Sequence, residues 1–123
     1  SGRLVNPLIV EGQVHGGIVH GIGNALFEYM RYDDEAQPTS TTFADYLLVT
    51  STEIPKLEVH FIESPSTTNP LGVKGVGEVG TVPVTSAIAS AVDDALSEYA
   101  VRIATVPIDP VKLISMIEDR QLA

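Results

Sequence analysis

Apolar side chains recur at helical intervals over residues 8–29, at Leu8, Ile9, Ile18, Ile22, Leu26 and Tyr29. Asn6 and Pro7 stand where a helix would open. Asn caps well, and Pro in the first turn loses no needed N–H. A second amphipathic stretch covers residues 84–99. There Ile88, Val92, Ala95 and Tyr99 share a stripe flanked by Ala87 and Ala91, while Asp93, Asp94 and Glu98 lie away from it. Asp109-Pro110 caps a last helix with Val111, Ile114 and Ile117 on one face. Between the helices, residues 57–63 alternate apolar with polar, the best strand signal in the chain. Residues 29–32 and the β-branched run 101–106 also read as strand, and residues 43–49 fit strand or helix equally. The loops are 33–42, 64–70 and the glycine-rich 72–80. This pattern of helix, strands, helix, strand, helix predicts a single α+β unit over residues 1–123, of mixed helices and short strands.

The first helix carries an unusual load. Gly12, Gly16, Gly17, Gly21 and Gly23 all fall inside it, and each costs about 1 kcal/mol relative to Ala. The pairs Gly12–Gly16 and Gly17–Gly21 are four apart, so each pair lies on one helical face. Such a helix expects something pressed against its backbone, or else breaks in two.

Composition narrows the function classes. The 123 residues hold 7 Lys+Arg against 16 Asp+Glu, a formal net charge of −9. The cations are scattered singly, so no basic stripe can follow a phosphate backbone, and nucleic acid is not an expected partner. The same scatter excludes a polybasic membrane anchor, and no apolar run is long enough to span a bilayer. With no cysteine, the chain offers no disulfide, thiolate metal site or cysteine nucleophile. These features point to a cytoplasmic, globular setting. The start Ser1-Gly2-Arg3, without Met, suggests a piece of a larger functional unit.

Three features invite chemistry. The string Gly75-Val76-Gly77-Glu78-Val79-Gly80 matches the dinucleotide-binding fingerprint literally. That fingerprint needs a strand before it and a helix opening within it. Here the turn-like Asn69-Pro70-Leu71-Gly72 precedes it and Pro83 follows, so the dinucleotide reading is set aside. His15 and His20 are five apart and His60 stands alone, which does not build a metal site. Lys74 and Glu78 share the glycine-rich loop. A carboxylate on such a loop is either solvated or, if partly desolvated, a general base.

The glycine-bearing segments are together more specific than any one of them. The run Asn6-Pro-Leu-Ile-Val-Glu-Gly-Gln13-Val-His-Gly-Gly17-Ile-Val-His-Gly21-Ile-Gly23 resembles a segment near the C-terminus of the molybdenum-binding large subunit of the xanthine oxidase family. That family includes aldehyde oxidoreductases and aerobic carbon monoxide dehydrogenase. The run Pro70-Leu-Gly-Val-Lys74-Gly-Val-Gly77-Glu78, followed by an apolar helix, resembles the family's active-site loop. Thr105-Val-Pro-Ile-Asp-Pro-Val-Lys resembles its closing segment. The three lie in the family's order, and the resemblance covers essentially the whole chain.

The resemblance implies the C-terminal portion of a molybdopterin-binding domain. It implies that Glu78 is the catalytic general base, that Gln13 hydrogen-bonds the pterin, and that Gly75, Val76 and Gly77 shape the loop on the cofactor side. None of these is a metal ligand. It further implies a molybdenum–pterin cofactor, in the cytosine dinucleotide form by its bacterial wording. Implied too are iron–sulfur and FAD partners and oxidation of a small substrate (aldehyde, N-heterocycle or carbon monoxide) with oxygen from water. The departures are equally informative. The family's catalytic unit is much longer, and the active-site cysteine of the carbon monoxide enzymes has no counterpart here. The isolated chain is therefore expected to be inactive, to hold no molybdenum, and to self-associate as a dimer through uncovered apolar surface. The rival expectation is a non-catalytic α+β assembly or regulatory module that keeps the fold.

Overall fold

The computed structural model describes residues 1–121. Three helices organise them: α1 (Pro7–Leu26), α2 (Thr81–Ala95) and α3 (Pro110–Gln121), with a short 3-10 turn, Ser97–Tyr99, after α2. The order of elements is thus helix, long irregular segment, helix, turn, helix.

α1 begins where Asn6 and Pro7 dictate. The Asn6 side chain accepts a hydrogen bond from the Ile9 N–H at 3.2 Å, satisfying a first-turn donor that the helix cannot satisfy itself. The helix runs unbroken for 20 residues, so the five glycines neither kink nor split it. It stops at Leu26, where Phe27 and Glu28 both donate to the Gly23 carbonyl. The expected continuation to Tyr29 does not form. Asn6→Ala should cost about 1 kcal/mol, whereas Asn6→Asp, which keeps the acceptor, should be close to neutral. Urea unfolding of both variants checks this, and an equal loss in the two would refute the capping role.

α2 begins three residues earlier than the periodicity suggests, at Thr81. The Glu78 carbonyl accepts from the N–H groups of Thr81 and Val82, and Pro83 fits within the first turn, where its missing N–H is not needed. The Asp109 side chain accepts from Val111 N–H at 2.9 Å at the start of α3, as the Asp-Pro pair predicts. The two ends of the fold are stitched by one backbone bond, Ile108 N–H to the Ala25 carbonyl at 2.7 Å.

The expected short strands are a correction. Among the described residues the sole β pairing is an isolated antiparallel bridge, Tyr32 with Pro38. The alternation over 57–63 is nevertheless visible in burial: Leu57, Val59 and Phe61 are half-buried, while Glu58 and His60 are exposed. What fails is pairing. A strand is stabilised by a neighbour's ladder, and no described segment runs beside 57–63 or 101–106 in register. The ambiguous 43–49 stretch forms neither helix nor strand.

The core is thin. Among the described residues only Ile22, Ala25, Val101 and Ile108 are buried apolar residues, whereas Leu8, Phe43, Ile62, Val82 and Val111 are each more than 70% exposed. The accessible surface is 8885 Å², against about 6,400 Å² expected for a folded monomer of this mass. The excess is the kind of surface that a larger molecule covers.

Candidate functional site around the Glu78 loop

Backbone packs tightly where α1 crosses the start of α2. A side-chain carbon at Gly17 would sit 3.0 Å from the Gly80 Cα and the Thr81 N, and one at Gly21 would sit 2.6 Å from the Val84 Cβ. From the other side, a Cβ at Gly80 would come within 2.5 Å of the Val14 carbonyl oxygen. Glycine is required on both surfaces because backbone meets backbone. A further tie runs from the Thr85 hydroxyl to the Gly21 carbonyl at 3.4 Å. The Gly17–Gly21 pair therefore answers to α2. A Cβ at Gly12 or Gly16 would meet nothing within 4 Å, so their face of α1 is open.

This crossing brings the two sequence-predicted site segments together. Glu78 lies two residues before Gly80, and Gln13 lies one residue before Val14. Both side chains are exposed. Gly75 and Gly77 lie in the loop with no neighbour within 4 Å of a would-be Cβ, and Val76 between them is half-buried. A cleft of about 200 Å³ adjoins the loop, bounded by Val10 and Val14 of α1, by Val79 beside Glu78, and by Val59 and Phe61. A larger cleft of about 350 Å³ lies elsewhere, at Leu26, Phe27, Tyr29, Val106 and Lys112; no sequence-predicted site residue lines it.

The start of the loop is held more firmly than its middle. Asn69 to Gly72 form a turn closed by Gly72 N–H to the Asn69 carbonyl at 3.2 Å, and Gly72 has φ +65°, a conformation natural to glycine. The Asn69 side chain then grips Val73 twice: its Nδ2 donates to the Val73 carbonyl at 3.0 Å, and its Oδ1 accepts from the Val73 N–H at 3.1 Å. Residues 1–4 lie across the same turn. Arg3 N–H donates to the Gly72 carbonyl at 2.9 Å, and a Cβ at Gly2 would be 2.6 Å from Gly72 O and Lys74 N. Lys74 Nζ reaches the Ser64 hydroxyl at 3.3 Å. Sequence reasoning missed Asn69, Gly2 and Gly80 as site-building residues. The Asn-Pro-Leu-Gly turn pattern was legible, but the partners of the Asn69 amide and of Gly2 are set by packing.

The donor set suits the edge of an organic group rather than a metal. No group of three or more His, Cys, Asp and Glu residues among those described could hold a metal ion. Gln13 offers both a hydrogen-bond donor and an acceptor, beside the side-chain-free surface of Gly12 and Gly16 on which a flat ring system can lie. His15 Nε2 is buried without a hydrogen-bond partner, but two residues along α1 from Gln13 it lies on the far side of the helix. Gln13 and the open Gly12–Gly16 surface are compatible with one edge of a flat organic cofactor.

Comparison with known proteins defines the class. Residues 1–55 match the molybdopterin cofactor-binding domain family. The chain is 41% identical over 116 residues to the 6-hydroxypseudooxynicotine dehydrogenase complex subunit gamma of Paenarthrobacter nicotinovorans, covering 94% of the chain and 14% of that subunit. It is 42% identical over 97 residues to the carbon monoxide dehydrogenase large chain of Afipia carboxidovorans, covering 76% of the chain and 12% of that protein. Quinoline 2-oxidoreductase from Pseudomonas putida 86 superposes with a TM-score of 0.93 at 42% identity, over 97% of this chain and 15% of that one. The chain is thus a homologue of one segment of the molybdenum-binding large subunits of molybdenum-dependent dehydrogenases and oxidoreductases. It spans about one seventh of the length of these relatives. Among the described residues no helix is long and apolar enough to cross a membrane.

Proposed function

We propose that this chain forms one wall of the active site of a cytoplasmic molybdenum hydroxylase, with Glu78 as general base and Gln13 as a pterin contact. The observation that carries the reading is the glycine-on-glycine crossing at Gly17, Gly21 and Gly80, which sets the Glu78 turn beside the Gln13 turn of α1. The cofactor, a molybdopterin in its cytosine dinucleotide form, supplies when bound the oxidising centre that takes two electrons from substrate. Gln13 hydrogen-bonds its pterin edge. Glu78 accepts a proton during oxidation of a small electron-poor substrate: an aldehyde, an N-heterocycle or carbon monoxide. Gly75, Val76 and Gly77 carry the carboxylate without side chains large enough to obstruct it. Because Glu78 is exposed here, the partial desolvation that makes a carboxylate a stronger base must come from the remainder of the large subunit. Iron–sulfur and FAD partners receive the electrons.

The reaction class is tested by turnover of the complete enzyme in oxygen-18-labelled water against an aldehyde, an N-heterocycle and carbon monoxide. Label from water in the product supports the reading. Unlabelled product, with its oxygen drawn from dioxygen, overturns it. A companion test uses the 123-residue chain by itself. Its exposed apolar surface should drive self-association, most simply to a two-fold dimer, and it should hold no molybdenum, since one wall does not make a site. Light scattering and metal analysis check both; a monomer, or stoichiometric molybdenum, contradicts the corresponding half.

A further inference from the structure

We propose that Asn69 is a positioning residue for the Glu78 carboxylate, acting through the backbone of Val73. This inference rests on Glu78 being the general base. Between Val73 and Glu78 the chain has little to hold it: a Cβ at Gly75 or Gly77 would meet nothing within 4 Å, Lys74, Gly75, Gly77 and Glu78 are exposed, and only Val76 is half-buried, with Lys74 tied to the Ser64 hydroxyl at its tip. Where the carboxylate stands therefore depends on where the two ends of this short bridge are pinned. The downstream end is pinned by Gly80 against α1 and by the Glu78 carbonyl, which accepts from the first N–H groups of α2. The upstream end is pinned by Asn69, whose amide satisfies both the N–H and the C=O of Val73. Asn69 and Val73 are both half-buried, so the two bonds are shielded and costly to leave unmade. Only an amide presents a donor and an acceptor side by side at this length. The strap of residues 1–4 backs the same turn, with Gly2 on the backbone of Gly72 to Lys74.

The test uses the complete, cofactor-loaded enzyme carrying Asn69→Ala, Asn69→Asp, Glu78→Gln, and Asn69→Ala combined with Glu78→Gln. Asp keeps the acceptor for the Val73 N–H but has no donor for the Val73 carbonyl. Asn69→Ala should lower kcat about 10- to 100-fold, the scale of a misplaced catalytic group, with a smaller loss for Asn69→Asp. KM should stay within about twofold, since substrate binding is not what is lost. Molybdenum content should be unchanged. In the Glu78→Gln background, Asn69→Ala should add almost nothing, because a residue that acts through the base has no effect once the base is gone. Hydrogen exchange should quicken over residues 69–78, with α1 and α2 unchanged, in loaded and cofactor-free protein alike. The proposal is overturned by unchanged kcat or exchange, by a loss confined to KM, by additive effects in the double variant, or by loss of molybdenum in both single Asn69 variants. If Glu78→Gln itself turns over normally, the base assignment fails and the positioning role falls with it. If Glu78→Gln is impaired while Asn69→Ala is not, only the positioning role fails.

Discussion

Glu78→Gln in the complete enzyme is expected to lower kcat by about 10²–10⁴-fold, the usual range for removing a general base. Gln has nearly the same volume and shape but cannot take up the proton. The substitution is also structurally clean. The Glu78 side chain is exposed, and the part of the residue that holds the fold is its carbonyl, which accepts from Thr81 and Val82 at the start of α2. That carbonyl is untouched by the change, so molybdenum content and the thermal midpoint should stay at their wild-type values. Steady-state turnover with metal analysis on the same preparation decides the matter. Near wild-type kcat would remove Glu78 from the mechanism.

The second large effect concerns the helix crossing, where the glycines divide into two sets of opposite behaviour. Gly21→Val places a branched side chain where even a first carbon would stand 2.6 Å from the Val84 Cβ. Gly80→Ala drives a methyl to 2.5 Å from the Val14 carbonyl oxygen. In the first case a side chain can yield in part. In the second the obstacle is helix backbone, which cannot. Overpacking costs about 1–3 kcal/mol where some relaxation is available, and both variants should lose at least that much and lower cofactor occupancy. Gly12→Ala and Gly16→Ala meet nothing within 4 Å and exchange a poor helix former for the best one, so each should stabilise the 123-residue chain by about 1 kcal/mol. Chemical denaturation of the four variants, with molybdenum analysis of the complete enzyme, separates the sets. If Gly12→Ala and Gly16→Ala stabilise the chain yet lower molybdenum content, their open face is the one that meets the cofactor or its surrounding domain. If all four variants unfold alike, the crossing does not depend on glycine.

The starts of α1 and α3 were legible because caps are local. Asn6 beside Pro7 and Asp109 beside Pro110 act within one turn of their own position, and no distant residue is needed to read them. The pairing of Gly17 with Gly21 was legible as a face for the same reason. The strands were not. Residues 57–63 show the right alternation, and half-burial follows it, but a strand is a relation between two segments. Periodicity reports which side of a segment is covered, never whether a neighbour offers its backbone groups in register.

The site divides along the same line. The amino-acid sequence by itself determined that α1 would be capped at Asn6 and rich in glycine, while leaving open whether it breaks in two, that Glu78 would stand on an irregular glycine loop ahead of an apolar helix, and that no basic patch or cysteine chemistry would be present. Those are properties of near neighbours along the chain. Only the tertiary structure decided that Gly17 and Gly21 serve the contact with α2 while Gly12 and Gly16 face open space; four-residue spacing is identical in the two pairs, and what differs is α2, far along the chain. It also decided that Asn69 and the strap at Gly2 would grip the loop upstream of Glu78. The Gly17–Gly80 and Gly2–Gly72 contacts join backbone atoms far apart in sequence, the Asn69 bonds need Val73 folded back over the intervening turn, and the energies of both depend on fine distances that no residue type encodes.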